Sequence, residues 1–93
     1  MPLRQSIENN LHEALRANNE EVKNTLRLLL ASVKYADKEK GQLLDDDAIM
    51  AIIQKEIKMR KETIEGAKAG ARDDLISKAN KEVLILTAYL PKQ

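Results

Sequence analysis

The chain has 93 residues, enough for one small domain, and a formal charge of +1 from 16 basic and 15 acidic side chains. That balance excludes a protein that grips nucleic acid by bulk charge, and DNA is not expected as a ligand. Two tyrosines with no Phe, Trp or Cys confine the core to aliphatic residues and exclude disulfide and thiolate chemistry.

Apolar residues make up 43% of the chain and charged residues 33%, the balance of an amphipathic helical bundle. In chain order, Leu3, Ile7, Leu11, Ala14 and Leu15 mark the apolar stripe of a first helix ending near Ala17. Asn18-Asn19 then interrupts, and Glu20-Glu21 suit the positive end of a new helix dipole. A single bent helix is the alternative, because the apolar phase nearly carries through. The second helix spans about Glu20 to Lys38, with Val22, Leu26, Leu29, Leu30 and Val33 buried and Gly41 as a left-handed stop. Asp45, Asp46 and Asp47 open the third helix, which reaches about Lys68 and is roughly 35 Å long. Its stripe is Ile49, Ile53, Ile57 and Ile64, with Arg60 in the gap. Gly70 is the expected terminator. The fourth helix starts near Arg72 or Asp73, carries Leu75, Ile76, Ala79, Val83, Leu86 and Leu90, and ends at Pro91. The expected fold class is all-α: a small four-helix bundle-like domain over residues 1–93, with antiparallel neighbours and a long third helix.

Few residues suggest chemistry. His12 has Glu8 one turn before it, but no nucleophile or oxyanion motif accompanies it, and Ser6 and Ser32 lack nucleophile context. The three aspartates read as helix caps rather than a cation site, so no metal, cofactor or catalytic residue is assigned. Gly70 with Arg72 could admit an anion at a helix start, against an ordinary helix stop. Lys23, Arg27 and Lys34 share a face of the second helix, and Lys55, Lys58 and Lys61 form a ridge on the third. If those helices are neighbours, a local positive strip could meet RNA phosphates. The interleaved Glu56, Glu62 and Glu65 favour a salt-bridged surface instead. Surface pairs are expected at Glu56–Arg60, Asp74–Lys78 and Lys78–Glu82. Arg60 on an apolar stripe needs a counter-ion, and Glu82 holds the matching position on the fourth helix, so an Arg60–Glu82 ion pair is expected.

Several segments carry a resemblance. Thr25–Ala36, TLRLLLASVKYA, is similar to the T-[IL]-R-x-L-L-A-A-I-K-N-A helix of the GatB/YqeY-like proteins. Gln54–Glu65, QKEIKMRKETIE, resembles their Q-K-E-[IV]-K-x-R-[RK]-[DE]-[ST]-I-E run, and Gly70–Leu75 and Tyr89-Leu90-Pro91 resemble later landmarks. The chain departs from the pattern at Ala71, where Arg usually follows Gly directly, and at Tyr35, where Asn is usual. The family is related to the helical tail of the B subunit of the glutamyl/aspartyl-tRNA amidotransferase. The resemblance implies the N-terminal helical domain alone, with the family's second helical domain absent after Gln93. It also implies a non-catalytic module that binds tRNA or an amidotransferase-like partner, with Arg27, Lys34, Lys55, Lys58 and Lys61 as contacts. An auxiliary role in a carbon–nitrogen ligase with glutamine as amido donor is one alternative, and a protein-interaction bundle with no RNA role is another. With no signal-like N-terminus and no apolar run long enough for a membrane, a cytoplasmic protein is expected.

Overall fold

The start and stop signals set four helices in the computed structural model, which describes residues 2–91: α1 (Leu3–Arg16), α2 (Glu20–Lys40), α3 (Asp46–Ala69) and α4 (Asp73–Thr87). The expected span of 1–93 and the ending at Gln93 extend outside the described residues. The Asn19 carboxamide accepts from the Val22 N–H at 3.2 Å, so the chain breaks at Asn18-Asn19 rather than bending through it. Asp45 caps α3 by accepting from the Ala48 N–H at 2.9 Å. Its neighbour Asp46 accepts from the Leu3 N–H at 3.1 Å, which ties the start of α1 to the start of α3.

Helices α1, α2 and α3 all stop in the same way. At Asn18, Gly41 and Ala71 the backbone turns left-handed, with φ of 55°, 75° and 53°. In each case the next N–H reaches back to a carbonyl in the last turn: Asn19 to Ala14, Gln42 to Asp37 and Arg72 to Ala67. The third stop differs from expectation. Gly70 keeps a negative φ of −95°, and the left-handed position falls on Ala71 one residue later. The unusual residue after that glycine therefore carries backbone strain that a glycine would not.

Two helical hairpins result, α1–α2 and α3–α4. The second has the most extensive helix contact, and α2 touches all three other helices. Ile7, Leu26, Leu29, Val33, Ile49, Ile53 and Leu86 form the centre and are 1% exposed or less. Burying a side chain of this size contributes about 1.5–3 kcal/mol before entropy is counted. The expected stripes are wider than the buried ones. Leu15 is 47% exposed and Leu75 39%, because each sits at a hairpin end where no neighbouring helix continues. Helix α4 stops at Thr87, short of Leu90, and Tyr89 and Leu90 close a tight turn before Pro91. Tyr89 accepts from the Asn10 carboxamide at 2.7 Å and so joins that turn to α1; partial burial raises its phenol pKa above the usual value.

A second clasp holds the first turn of α1. The Arg4 guanidinium grips the Asp37 carboxylate with bonds of 2.8 and 3.0 Å, and the Leu44 N–H donates to the same carboxylate at 2.8 Å. The Arg4 hydrogen bonds first, and the Leu44 N–H second, hold the Asp37 carboxyl below its usual 3.8.

Ala71→Gly should raise stability by about 1 kcal/mol, the left-handed strain less the extra freedom of glycine in the unfolded chain, and Gly41→Ala should lower it by about as much. Urea midpoints at unchanged slope measure both. Because the folded Asp37 carboxyl is the stronger acid, its contribution is full above the unfolded value of 3.8 and is lost as pH falls through the folded one. Asp37→Asn should thus be less stable than the parent at neutral pH, and that gap should narrow at the acid end of a pH–stability profile.

Candidate binding groove between α2 and α3

Helices α2 and α3 pack through their buried stripes, but each keeps a second apolar row beside the first. Leu28 and Tyr35 lie seven residues apart on α2, and Ile52 and Met59 seven apart on α3, so each pair shares a helix face. These rows face one another across an open groove of about 630 Å³ that runs from Leu28 to Ala36 on α2 and from Ile52 to Arg60 on α3. Leu28 is 54% exposed, Met59 50% and Tyr35 67%, so nothing in the described chain covers them. The groove is about 12 Å long, a little over two helical turns. Apart from Ile52, its lining residues fall in Thr25–Ala36 and Gln54–Glu65, the segments that carry the family resemblance. The cleft between α2 and α4 is smaller, about 370 Å³, and several of its charged groups are already paired: Glu21 with Lys81, Asp74 with Arg72 and Glu82 with Arg60.

Arg60 stands at one end of the groove. Its Nη1 donates to the Glu56 carbonyl at 3.1 Å and to Glu56 Oε1 at 3.2 Å. Its Nε lies 3.7 Å from Glu82 Oε1 on α4, close enough for attraction but too far for a hydrogen bond. That Nε is buried without a hydrogen-bond partner. The side chains of Arg60, Glu56 and Glu82 are 13%, 14% and 17% exposed, so the Glu56–Arg60 pair is partly buried rather than a surface pair. One guanidinium therefore serves two carboxylates in the α3–α4 seam. The spacings Asp74–Lys78 and Lys78–Glu82 do not form pairs, because Asp74 engages Arg72 and Glu82 engages Arg60.

The remaining sequence candidates separate. Lys55 lines the groove, whereas Lys61 lines a different cleft between α3 and the end of α4. Arg27, Lys34 and Lys58 are exposed, each one step around its helix from the groove residues Leu28, Tyr35 and Met59. None of these five cations has an ion-pair partner among the described residues, because Glu56 and Glu65 are drawn to Arg60 and Lys68 instead. His12 is exposed, and no hydrogen bond joins it to Glu8, Ser6 or Ser32. Arg72 is engaged by Asp74, whose carboxyl that guanidinium holds below the usual range. No cluster of metal-ligating side chains occurs among the described residues, and none of their helices is long and apolar enough to cross a membrane. The apolar groove itself was not expected from sequence. Its signal was the paired seven-residue spacing of Leu28 with Tyr35 and Ile52 with Met59.

Fold and groove together define a small all-α domain that offers a surface. The family model described as Yqey-like protein matches residues 4–93, and the chain belongs to that family. An uncharacterized protein of Schizosaccharomyces pombe is 28% identical over 86 residues, covering 92% of this chain and 70% of the relative. Proteins named altered inheritance of mitochondria protein 41, mitochondrial, from Pyrenophora tritici-repentis and Eremothecium gossypii are 30% and 32% identical over 83 and 85 residues. Those alignments cover 89% and 90% of this chain but 46% of each relative, so the chain spans about half the length of these two.

Removal of the Arg60 guanidinium tests the seam. Arg60→Ala leaves two partly buried carboxylates without a counter-ion and should cost roughly 2–3 kcal/mol, somewhat less than a fully buried pair. Arg60→Met combined with Glu82→Leu should cost less than the sum of the two single changes. A double-mutant cycle from chemical denaturation measures the coupling.

Proposed function

We propose that this chain is a non-catalytic helical module that docks on a protein partner through the α2–α3 groove. The resemblance to GatB/YqeY-like proteins supplies the partner's class, an amidotransferase-like subunit, and a chain without cysteine suits a reducing cytoplasm. The observation that carries the reading is the uncovered apolar wall of Leu28, Tyr35 and Met59. In this reading any carbon–nitrogen ligation with glutamine as amido donor is performed by other subunits, and this domain contributes position rather than bond-making.

One observation favours a second reading, contact with tRNA. Arg27, Lys34, Lys55, Lys58 and Lys61 are exposed and lack ion-pair partners among the described residues, which is the condition cations need to replace the counter-ions of a phosphate backbone. Such binding would fall more steeply with salt than docking on an apolar wall.

Affinity capture with and without nuclease separates the two. An amidotransferase-type subunit, identified by mass, that is retained after nuclease and lost with Leu28→Asp or Met59→Asp supports docking. Capture of tRNA that disappears at raised salt, with no protein dependent on the groove, supports the second reading and overturns the first.

A further inference from the structure

We infer that the occupant of the α2–α3 groove is a single amphipathic helix with acidic flanks, contributed by a protein partner. This rests on the docking reading and names the chemistry of what docks.

Shape is the first argument. The groove is lined by two apolar pairs, Leu28 with Tyr35 and Ile52 with Met59, and each pair is seven residues apart on its helix. A helix laid between them presents side chains at i, i+4 and i+7, which match that spacing over the two turns available. An extended strand would turn its backbone N–H and C=O groups toward aliphatic walls, and no strand edge exists among the described residues to pair with them. Leu28 and Met59 are unbranched at Cβ, and Met adapts its shape to the side chain it meets.

Charge is the second. Lys55 lines the groove, and Arg27, Lys34 and Lys58 are exposed, each next in sequence to a lining residue, Leu28, Tyr35 and Met59. All four lack ion-pair partners among the described residues, whereas the acid within the groove, Glu56, is committed to Arg60. The other exposed acids nearby, Glu39 and Glu62, lie beyond the ends of the lining. A docked helix with Glu or Asp beside its apolar stripe would meet cations on both sides, and one with Lys there would be repelled. A nucleic-acid strand would find the same rims. It would also cover an aliphatic floor with only the Tyr35 ring to stack on, so the helix is the better fit.

The test uses the whole chain with labelled Leu, Ile and Met methyl groups and three probes. Two are synthetic helical peptides of about 15 residues with the same Leu stripe, one flanked by Glu and one by Lys; the third is a tRNA transcript. The Glu-flanked peptide should shift the Leu28, Ile52 and Met59 methyl signals and bind roughly tenfold more tightly than the Lys-flanked one. Arg27→Glu with Lys55→Glu should reverse that preference, and Met59→Asp should abolish binding of both peptides, with the buried Ile53 signal reporting an intact fold. Equal binding of the two peptides, no shift at the groove methyls, or shifts produced by tRNA alone would overturn the inference. If the peptides fail while capture of an amidotransferase-type subunit still depends on Leu28 and Met59, docking stands and the acidic helix falls. If capture fails as well, both fall.

Discussion

The guanidinium of Arg60 is the interaction on which the arrangement of α3 turns. A charge in the stripe Ile49, Ile53, Ile57 can be kept only where counter-charges converge on it, and Glu56 and Glu82 do so from its own helix and from α4. The stripe thereby has a fixed meeting point with the neighbouring helix, whereas aliphatic side chains alone tolerate sliding. Arg60 also borders the groove, so the element that fixes the α3–α4 hairpin defines one end of the exposed face. Its unpartnered Nε shows that the fit is imperfect: Glu82 is near enough to neutralise but not to bond. Electrostatic attraction, rather than a directional hydrogen bond, carries the α4 side of this contact.

The helices were legible because local signals agreed with one another. Asn19, Gly41 and Asp45 act where capping chemistry puts them, and the innermost residues of each stripe are buried. The misreadings have a common cause. Leu15 and Leu75 continue the period of their helices, yet packing ends before the period does, whereas Leu90 packs on the core from a turn after the helix has stopped. Periodicity reports which face a residue occupies but not whether another helix extends far enough to cover it. Gly70 misled for a related reason. Composition favours glycine at a stop, but the hydrogen bonds of the last turn decide which residue turns left-handed, and they select Ala71. The groove was hidden because Leu28, Tyr35, Ile52 and Met59 look like the margins of core stripes until the helices are placed.

Those margins exist because the core is small. Once the side chains between α2, α3 and α4 reach native density, residues a third of a turn away have no neighbour to meet. A chain selected only for stability would place polar residues there, since uncovered Leu and Met gain nothing from folding and favour association. Two helices contribute apolar residues to the lining of one groove, so Leu28, Tyr35, Ile52 and Met59 form a shared wall rather than scattered exposed side chains. Docking at this face, as proposed, would call for no motion and no reactive group. It requires that the hairpins hold the two rows at a fixed separation, which the buried core and the Arg60 seam provide.

The near-zero net charge conceals how the charges are sorted. Acids are drawn into structural work: Asp37 to the Arg4 clasp, Asp45 and Asp46 to helix starts, Glu56 and Glu82 to Arg60, and Asp74 to Arg72. In and beside the groove lining, Arg27, Lys34, Lys55 and Lys58 have no ion-pair partner among the described residues. A composition with almost equal numbers of acids and bases can thus present a positive face, because each paired acid cancels a charge elsewhere on the molecule. Exposed pairs contribute little to stability, so the unpaired state of these four residues costs the fold little. What it supplies is selectivity. An apolar groove alone would accept any amphipathic segment, and cationic rims restrict it to segments whose flanks are acidic.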